Sequence, residues 1–256
     1  MTRLRFGKTA FFMIGSVFIC IVFIIVWRFP LLGSDITKQT IYVGIMQTWD
    51  GLSTDSQAHA LWIDDDSSPG VFAVKEIADE VGIRPTFAVI ADRMEKYLAD
   101  SLVSWQKQGA GIIVHGFQHK SWKDWNEEQI KEDIYLSYER LYEQGFDTAK
   151  IIKMIVPPHG CNTRTIRTVI ERRGCQMITG ANLVNNNRYS FLLGRINISS
   201  DTDMDEMRYI LQKAYRRKAY VIFATHSSIP DSFSKEKTKS VLRMAKEIGF
   251  SFDFSK

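Results

Sequence analysis

The chain has 256 residues, of which 45% are hydrophobic, and its formal net charge is +4. This length and composition fit one α/β domain with an ordinary core and a short additional segment. The 33 Lys and Arg residues are mixed with 29 Asp and Glu residues and form no stripe. We therefore expect no nucleic-acid partner.

The first part of the sequence predicts a membrane anchor. Residues 1–8 are a basic tail, and residues 9–27 form an uncharged apolar run long enough to cross a bilayer. The basic flank predicts a cytoplasmic N-terminus, with the rest of the chain outside the cell membrane. A cleaved signal peptide is the alternative, but the run is long and no small-x-small site follows it. Residues 28–57 are interpreted as a linker and entry segment.

Residues 58–256 predict one catalytic domain in which strands alternate with amphipathic helices. The expected strands are apolar β-type runs: 60–63, 86–90, 111–114, 151–156, 175–178, 220–224 and 251–254. Helical spacing of apolar residues between them ends at a glycine in each case: Gly82, Gly109, Gly145, Gly174 and Gly249. This alternation predicts an α/β fold, an irregular (β/α) barrel of seven to eight mostly parallel strands.

The cysteines predict no disulfide. Cys20 lies in the predicted anchor, while Cys161 and Cys175 flank a predicted helix of about 11 residues that would hold them roughly 16 Å apart. A disulfide needs Cα atoms within about 7 Å. We expect free thiols.

Four of the five histidines follow predicted strands, as does an acidic cluster. Asp64, Asp65 and Asp66 end the first strand, and His115 follows the third, four residues before His119. Two histidines and one carboxylate are an open-site ligand set for Zn²⁺, and a second carboxylate beside the bound water can act as a base. Alternatives remain open for each motif alone, because the histidine pair can arise by chance and the aspartates can cap a helix.

Two further histidines follow later strands. His159 lies in a stiff Pro-Pro-His-Gly turn, which can fix a backbone N–H near an oxyanion, although a simple loop before a helix fits equally. His226 follows the strand at 220–224 and can protonate a leaving group, although a lone histidine is more often structural. Together these strand-end groups predict a metal-dependent hydrolase, because the loops after barrel strands converge on one face.

In this order the motifs resemble those of the polysaccharide deacetylases, carbohydrate esterase family four. The family's T-F-D-D-G, H-x-x-x-H, R-P-P-Y-G and Leu-His motifs are similar to Trp62–Asp66, His115–His119, Val156–Gly160 and Thr225–His226. The resemblance covers about residues 58–254. It implies that Asp64 is the general base, that the His159 N–H helps to stabilise the oxyanion, and that His226 is the general acid.

The resemblance further implies that Asp65, His115 and His119 hold a divalent metal ion, with Zn²⁺ favoured. The chain departs from the family where Val156 replaces the arginine expected to pair with the base aspartate. Arg195 is a possible substitute and a candidate substrate contact. Other replacements are His159 for tyrosine, Asp66 for glycine and Thr225 for leucine.

The expected activity is removal of acetyl groups from an N- or O-acetylated glycan of the cell envelope or extracellular space. Trp122 and Trp125 are candidate sugar-stacking residues, although packing against a helix is equally compatible with their position. Two alternatives remain. One is a deacylase or amidohydrolase acting on a non-carbohydrate amide, and the other is an inactive, anchored glycan-binding protein with the same fold.

Overall fold

The computed structural model describes residues 55–65 and 67–252. The predicted anchor at 9–27 and nearly all of the linker lie outside the described residues. Within the described part of the chain, no helix is long and apolar enough to cross a membrane.

Seven strands form a closed, fully parallel barrel in sequence order. They are β1 (His59–Asp64), β2 (Thr86–Val89), β3 (Gly111–Val114), β4 (Met154–Ile155), β5 (Gln176–Asn182), β6 (Leu192–Asn197) and β7 (Tyr220–Thr225). Pairing of β7 with β1 closes the barrel. The predicted (β/α) barrel is confirmed.

The described part of the chain contains six α-helices between or after these strands. They are α1 (Val71–Val81), α2 (Lys96–Lys107), α3 (Glu127–Glu143), α4 (Arg164–Arg172), α5 (Met204–Arg216) and α6 (Lys235–Ile248). α3 begins with a capping box in which Asn126 and Gln129 satisfy each other's backbone N–H groups. α1 and α6 end at left-handed glycines, Gly82 and Gly249, as predicted.

The core has an inner and an outer layer because side chains alternate along each strand. Inside the barrel lies an apolar cluster that includes Leu61, Ile63, Ile113, Val156 and Leu193. The intervening residues, such as Trp62 and Val114, belong to the larger cluster between the barrel and its helices. The alternation continues past the strand ends and therefore decides which side chains face the barrel mouth.

Three sequence expectations need correction. β6 is a strand that is absent from the predicted ones, because Gly194 and Arg195 interrupt its apolar pattern. β4 has two residues where six were predicted at 151–156, although the N–H groups of Ile152 and Val156 on either side still donate to Ile112 O and Val114 O of β3. Ser251 forms only an isolated bridge to His59, and residues 253–254 of that predicted strand lie outside the described part. The prediction of free thiols at Cys161 and Cys175 is confirmed.

Candidate active site

The strand-end side chains meet in one cavity of about 340 Å³ at the carboxyl end of the barrel. Asp65, His119, His159, Arg195 and His226 all line it. The strand alternation explains much of this convergence. Asp65 follows inward-facing Ile63 by two residues, Arg195 follows Leu193 by two, and each therefore points into the barrel mouth.

Asp65 is the carboxylate at the centre of this cavity. Arg195 donates a hydrogen bond from Nη1 to Asp65 Oδ2. His226 Nε2 and His115 Nε2 lie 3.6 Å and 3.8 Å from the same oxygen. Burial alone would raise the pKa of Asp65, but the positive charges of His115, Arg195 and His226 together lower it below its usual value. The geometry therefore favours an ionised carboxylate in a buried, cationic setting.

The other oxygen of Asp65 is available for a further contact. Asp65 Oδ1 is buried and has no hydrogen-bond partner among residues 55–65 and 67–252. A buried carboxylate oxygen without a donor is costly, so such an atom is a natural contact for a cation or a water molecule.

His115 is oriented by the backbone of the neighbouring strand. Its N–H bonds to Val89 O at 2.9 Å and extends the ladder of β3, while its ring Nδ1 lies 2.7 Å from Val156 O. A carbonyl can only accept, so Nδ1 donates this hydrogen bond, and Nε2 faces Asp65. A backbone carbonyl that fixes the tautomer in this way is typical of metal-ligating histidines.

The rings of His119 and His159 contact each other at a tilt at the rim of the cavity. The His119 ring lies 4.6 Å from that of His115 and 4.4 Å from that of His159, centroid to centroid. Both residues have left-handed backbone conformations, with φ of 59° and 57°, which are uncommon outside glycine and asparagine. Burial, followed by the charges of His115 and His159, lowers the pKa of His119 to about 4, so its ring is neutral near pH 7.

Asp64 has different surroundings although it is the next residue in the chain. Its Oδ1 accepts from Thr225 Oγ1 at 2.7 Å and from the Ser227 N–H at 3.2 Å, and its Oδ2 accepts from Ser227 Oγ at 2.6 Å. Asp64 is fully buried and does not line the cavity. Its carboxylate joins β1 to both residues that flank His226.

The two candidate sugar-stacking tryptophans have different environments. Trp122 is fully buried in the outer core layer, so it packs in the core, which was the alternative to sugar stacking. Neither face of its ring is open to a sugar. Trp125 is half-buried and lines a different depression with Phe117 and Leu136 on the side of α3. Neither side chain lines the cavity around Asp65.

The sequence analysis missed several residues at the site, among them Arg93, Gly180 and Ser227. Arg93 lines the cavity, and so does Gly180, which has no side chain and contributes only its backbone. Ser227 is missed because its role depends on a contact with Asp64, 163 positions away. Arg93 lies just past β2, so the rule that exposed strand-end groups converge would have included it.

Comparison with known proteins identifies the family. The sequence model described as polysaccharide deacetylase matches residues 51–178, half of the chain. The chain belongs to this family. A search of curated proteins gives no significant match.

Solved structures agree on the fold. A chitin deacetylase from the fungal pathogen Colletotrichum lindemuthianum is similar with a TM-score of 0.58 and 11% identity, over 79% of this chain and 87% of that one. An acetyl xylan esterase from Clostridium thermocellum, solved with a cobalt ion, gives 0.57 and 14%, over 76% and 86%. A peptidoglycan deacetylase from Bacillus subtilis gives 0.52 and 11%, over 77% and 87%. At these identities the likeness shows the fold alone.

Proposed function

We propose that this protein is a hydrolase that removes acetyl groups from an N- or O-acetylated glycan by attack of water. The observation that carries the proposal is the buried carboxylate of Asp65, surrounded by Arg195, His115 and His226 at the mouth of a polysaccharide deacetylase barrel. A charged group held among fixed donors at the strand ends is the arrangement that acyl-transfer chemistry requires.

The donor chemistry fits a divalent metal ion. Asp65 Oδ1 lacks a partner among the described residues, His115 presents Nε2 toward the same carboxylate, and His119 is neutral near pH 7. No three His, Cys, Asp or Glu side chains of the described part already stand at metal-binding geometry, so binding would require small side-chain movements. We propose Asp65, His115 and His119 as ligands, with Zn²⁺ favoured by a carboxylate and two imidazoles. A bound ion supplies Lewis-acid polarisation of the acetyl carbonyl.

His226 is the proton-transfer group that the cavity presents. It lies 3.6 Å from Asp65 through Nε2, and its side chain is 33% exposed, which leaves room for a substrate beside it. Imidazole exchanges a proton readily near neutral pH. We assign His226 to protonate the departing amine or alcohol. The N–H of His159, in the turn at Pro158–Gly160, is proposed to stabilise the oxyanion.

The role of Asp64 as general base remains a prediction from the resemblance. Both of its oxygens accept hydrogen bonds from Thr225 and Ser227, and it does not line the cavity. These contacts favour a positioning role, in which Asp64 holds the loop that carries His226. His226 lines the cavity and would then take a proton from the attacking water and pass one to the leaving amine or alcohol, while Asp65 would hold the metal ion.

The predicted anchor at 9–27 would place this activity outside the cell membrane, against an envelope glycan. This part of the proposal depends on the sequence alone. Protease digestion of intact and lysed cells tests it: the domain is expected to be digested in intact cells. Protection until lysis would contradict an external location.

Acetate release from the purified protein tests the proposed activity. The substrates are chitooligosaccharides and peptidoglycan as N-acetylated glycans, acetyl xylan as an O-acetylated glycan, and simple aryl acetamides as non-carbohydrate amides. We expect acetate from at least one acetylated glycan. Release only from the amides would support the non-carbohydrate alternative, whereas binding without release would support an inactive glycan-binding protein.

Metal content provides a separate test. The wild type, reconstituted with Zn²⁺, is expected to hold about one ion per chain, and His119→Ala is expected to lose it. His59→Gln, changed at the opposite end of β1, is the matched histidine control. No bound metal in the reconstituted wild type would contradict the ligand assignment.

A further inference from the structure

Arg93 is fixed at the rim of the cavity by the loop that carries the histidine pair. The segment Ala91–Arg93 follows β2, and its Ala91 and Asp92 N–H groups donate to Gly116 O and Phe117 O at 3.2 Å and 2.9 Å. The side chain of Arg93 continues this pairing, since Nη2 donates to Gln118 O at 3.2 Å. Three successive contacts therefore hold the guanidinium beside His119 before any substrate arrives.

The cavity around Arg93 has an excess of positive charge. Among the described residues that line it, Asp65 is the only carboxylate, and Asp65 is already paired with Arg195. Arg93 is exposed and has no ion pair in the described part of the chain. Its side chain lines the same cavity as His119 and Asp65, so its charge lies at the site. A proposed metal ion would add to this positive field.

A guanidinium has five N–H donors in a planar fork, and Arg93 uses one of them on Gln118 O. The remaining donors suit the two oxygens of a carboxylate, which arginine binds in a bidentate manner. The backbone contacts reduce the entropy that is lost when such a pair forms.

We propose that Arg93 binds a carboxylate of the substrate, so that the preferred glycan is acidic and carries its carboxylate on or next to the acetylated sugar. This inference rests on the proposed deacetylase function and narrows its substrate class. A neutral glycan would leave the guanidinium of Arg93 without a carboxylate to pair with, whereas an acidic one gains an attraction that salt weakens.

A matched pair of substrates tests the inference. One is an acetylated oligosaccharide that contains a uronic acid, and the other is the same oligosaccharide after reduction of its carboxyl groups. We expect the wild type to favour the acidic form in kcat/KM by about tenfold at low salt, mainly through KM. Arg93→Gln is expected to abolish this preference and Arg93→Lys to retain part of it. Arg208→Gln, an exposed arginine on α5, is the matched control and should keep the preference.

Equal kcat/KM values for the two substrates in the wild type, or a preference that survives in Arg93→Gln, would overturn the role of Arg93. Failure of the proposed function gives a different result, namely no acetate from either substrate. Calorimetry with the deacetylated acidic oligosaccharide then still tests Arg93, because binding needs no turnover. Weaker binding by Arg93→Gln than by Arg208→Gln is the expected result, and equal binding would overturn the inference.

Discussion

Two neighbouring carboxylates at the end of β1 have opposite environments. Asp64 faces the outer layer with Trp62, and neutral hydroxyl and amide donors of Thr225 and Ser227 satisfy both of its oxygens. Asp65 faces the barrel mouth, where Arg195 pairs with it and one oxygen has no partner among the described residues. A single step along a strand reverses the side of the sheet, and here it separates a carboxylate that both Thr225 and Ser227 bind from one that lines the cavity.

The same alternation orders the rest of the site. Ile113 and Ala224 face the inside of the barrel, and His115 and His226 follow them by two residues each. The intervening Thr225 faces outward, where its hydroxyl also accepts from Trp62 Nε1 at 3.1 Å. Position along the strand, more than residue type, therefore determines which of these side chains face the cavity.

The largest effect is expected from removing the cation beside Asp65. Arg195→Met leaves a buried carboxylate without its ion pair, which should lower the free energy of unfolding by about 3–5 kcal/mol. Urea denaturation measures this change. Arg243→Gln is the control, because its pair with Glu80 is exposed to solvent and is expected to contribute little to stability. Equal effects of the two variants would remove the distinction between buried and surface pairs.

His226→Gln should lower kcat by about 100-fold or more, because the group that exchanges protons is lost. His159→Asn provides the comparison. Asparagine tolerates the left-handed backbone at this position and keeps the N–H proposed for the oxyanion. We expect it to retain activity within about tenfold. If His159→Asn were the more damaging change, proton transfer would have to be reassigned to that imidazole.

Substitution of the residues that donate hydrogen bonds to Asp64 should have smaller effects, mainly on the free energy of unfolding. Thr225→Val and Ser227→Ala each leave a buried carboxylate oxygen with fewer donors, and each is expected to cost about 1–3 kcal/mol of unfolding free energy. Activity should fall less than in His226→Gln, because these variants loosen the loop that carries His226 but keep its imidazole. Unchanged stability in both variants would contradict the positioning role of Asp64.

A third buried carboxylate gives the smallest expected effect, one that depends on pH. Asp133 on α3 accepts from the Phe117 N–H at 2.8 Å, but burial raises its pKa above the ordinary 3.8. The folded state then binds the proton more tightly than the unfolded state, so this group adds stability as pH falls through the raised pKa toward 3.8.

Asp133→Asn should lack that contribution, because asparagine keeps an acceptor for Phe117 but does not titrate. Denaturation of both proteins between pH 7 and pH 4 measures the difference. The stability of the wild type relative to the variant should increase as pH falls. A relative decrease would mean that the folded protein holds this carboxylate at a lowered pKa.

The strand ends and their order could be predicted from the sequence because apolar runs and helix-ending glycines mark the repeats clearly. Assigning the two aspartates required the side of β1 that each faces, and the family motif does not give the contacts that Asp64 makes with Thr225 and Ser227, more than 160 positions away. β6 was missed as a strand because Gly194 and Arg195 interrupt its apolar pattern. Burial of Trp122 depends on tertiary packing, which a polar local sequence conceals.

We propose that Asp65, which lines the cavity, is required for activity, whereas Asp64, which does not, is required mainly for stability. Acetate release by Asp64→Asn and Asp65→Asn, measured beside the wild type under identical metal loading, tests it most directly. Asp65→Asn should lose about 100-fold or more of kcat/KM, whereas Asp64→Asn should keep about a tenth or more and lose stability instead. A folded Asp64→Asn protein with activity as low as that of Asp65→Asn would contradict the claim and restore Asp64 as the base.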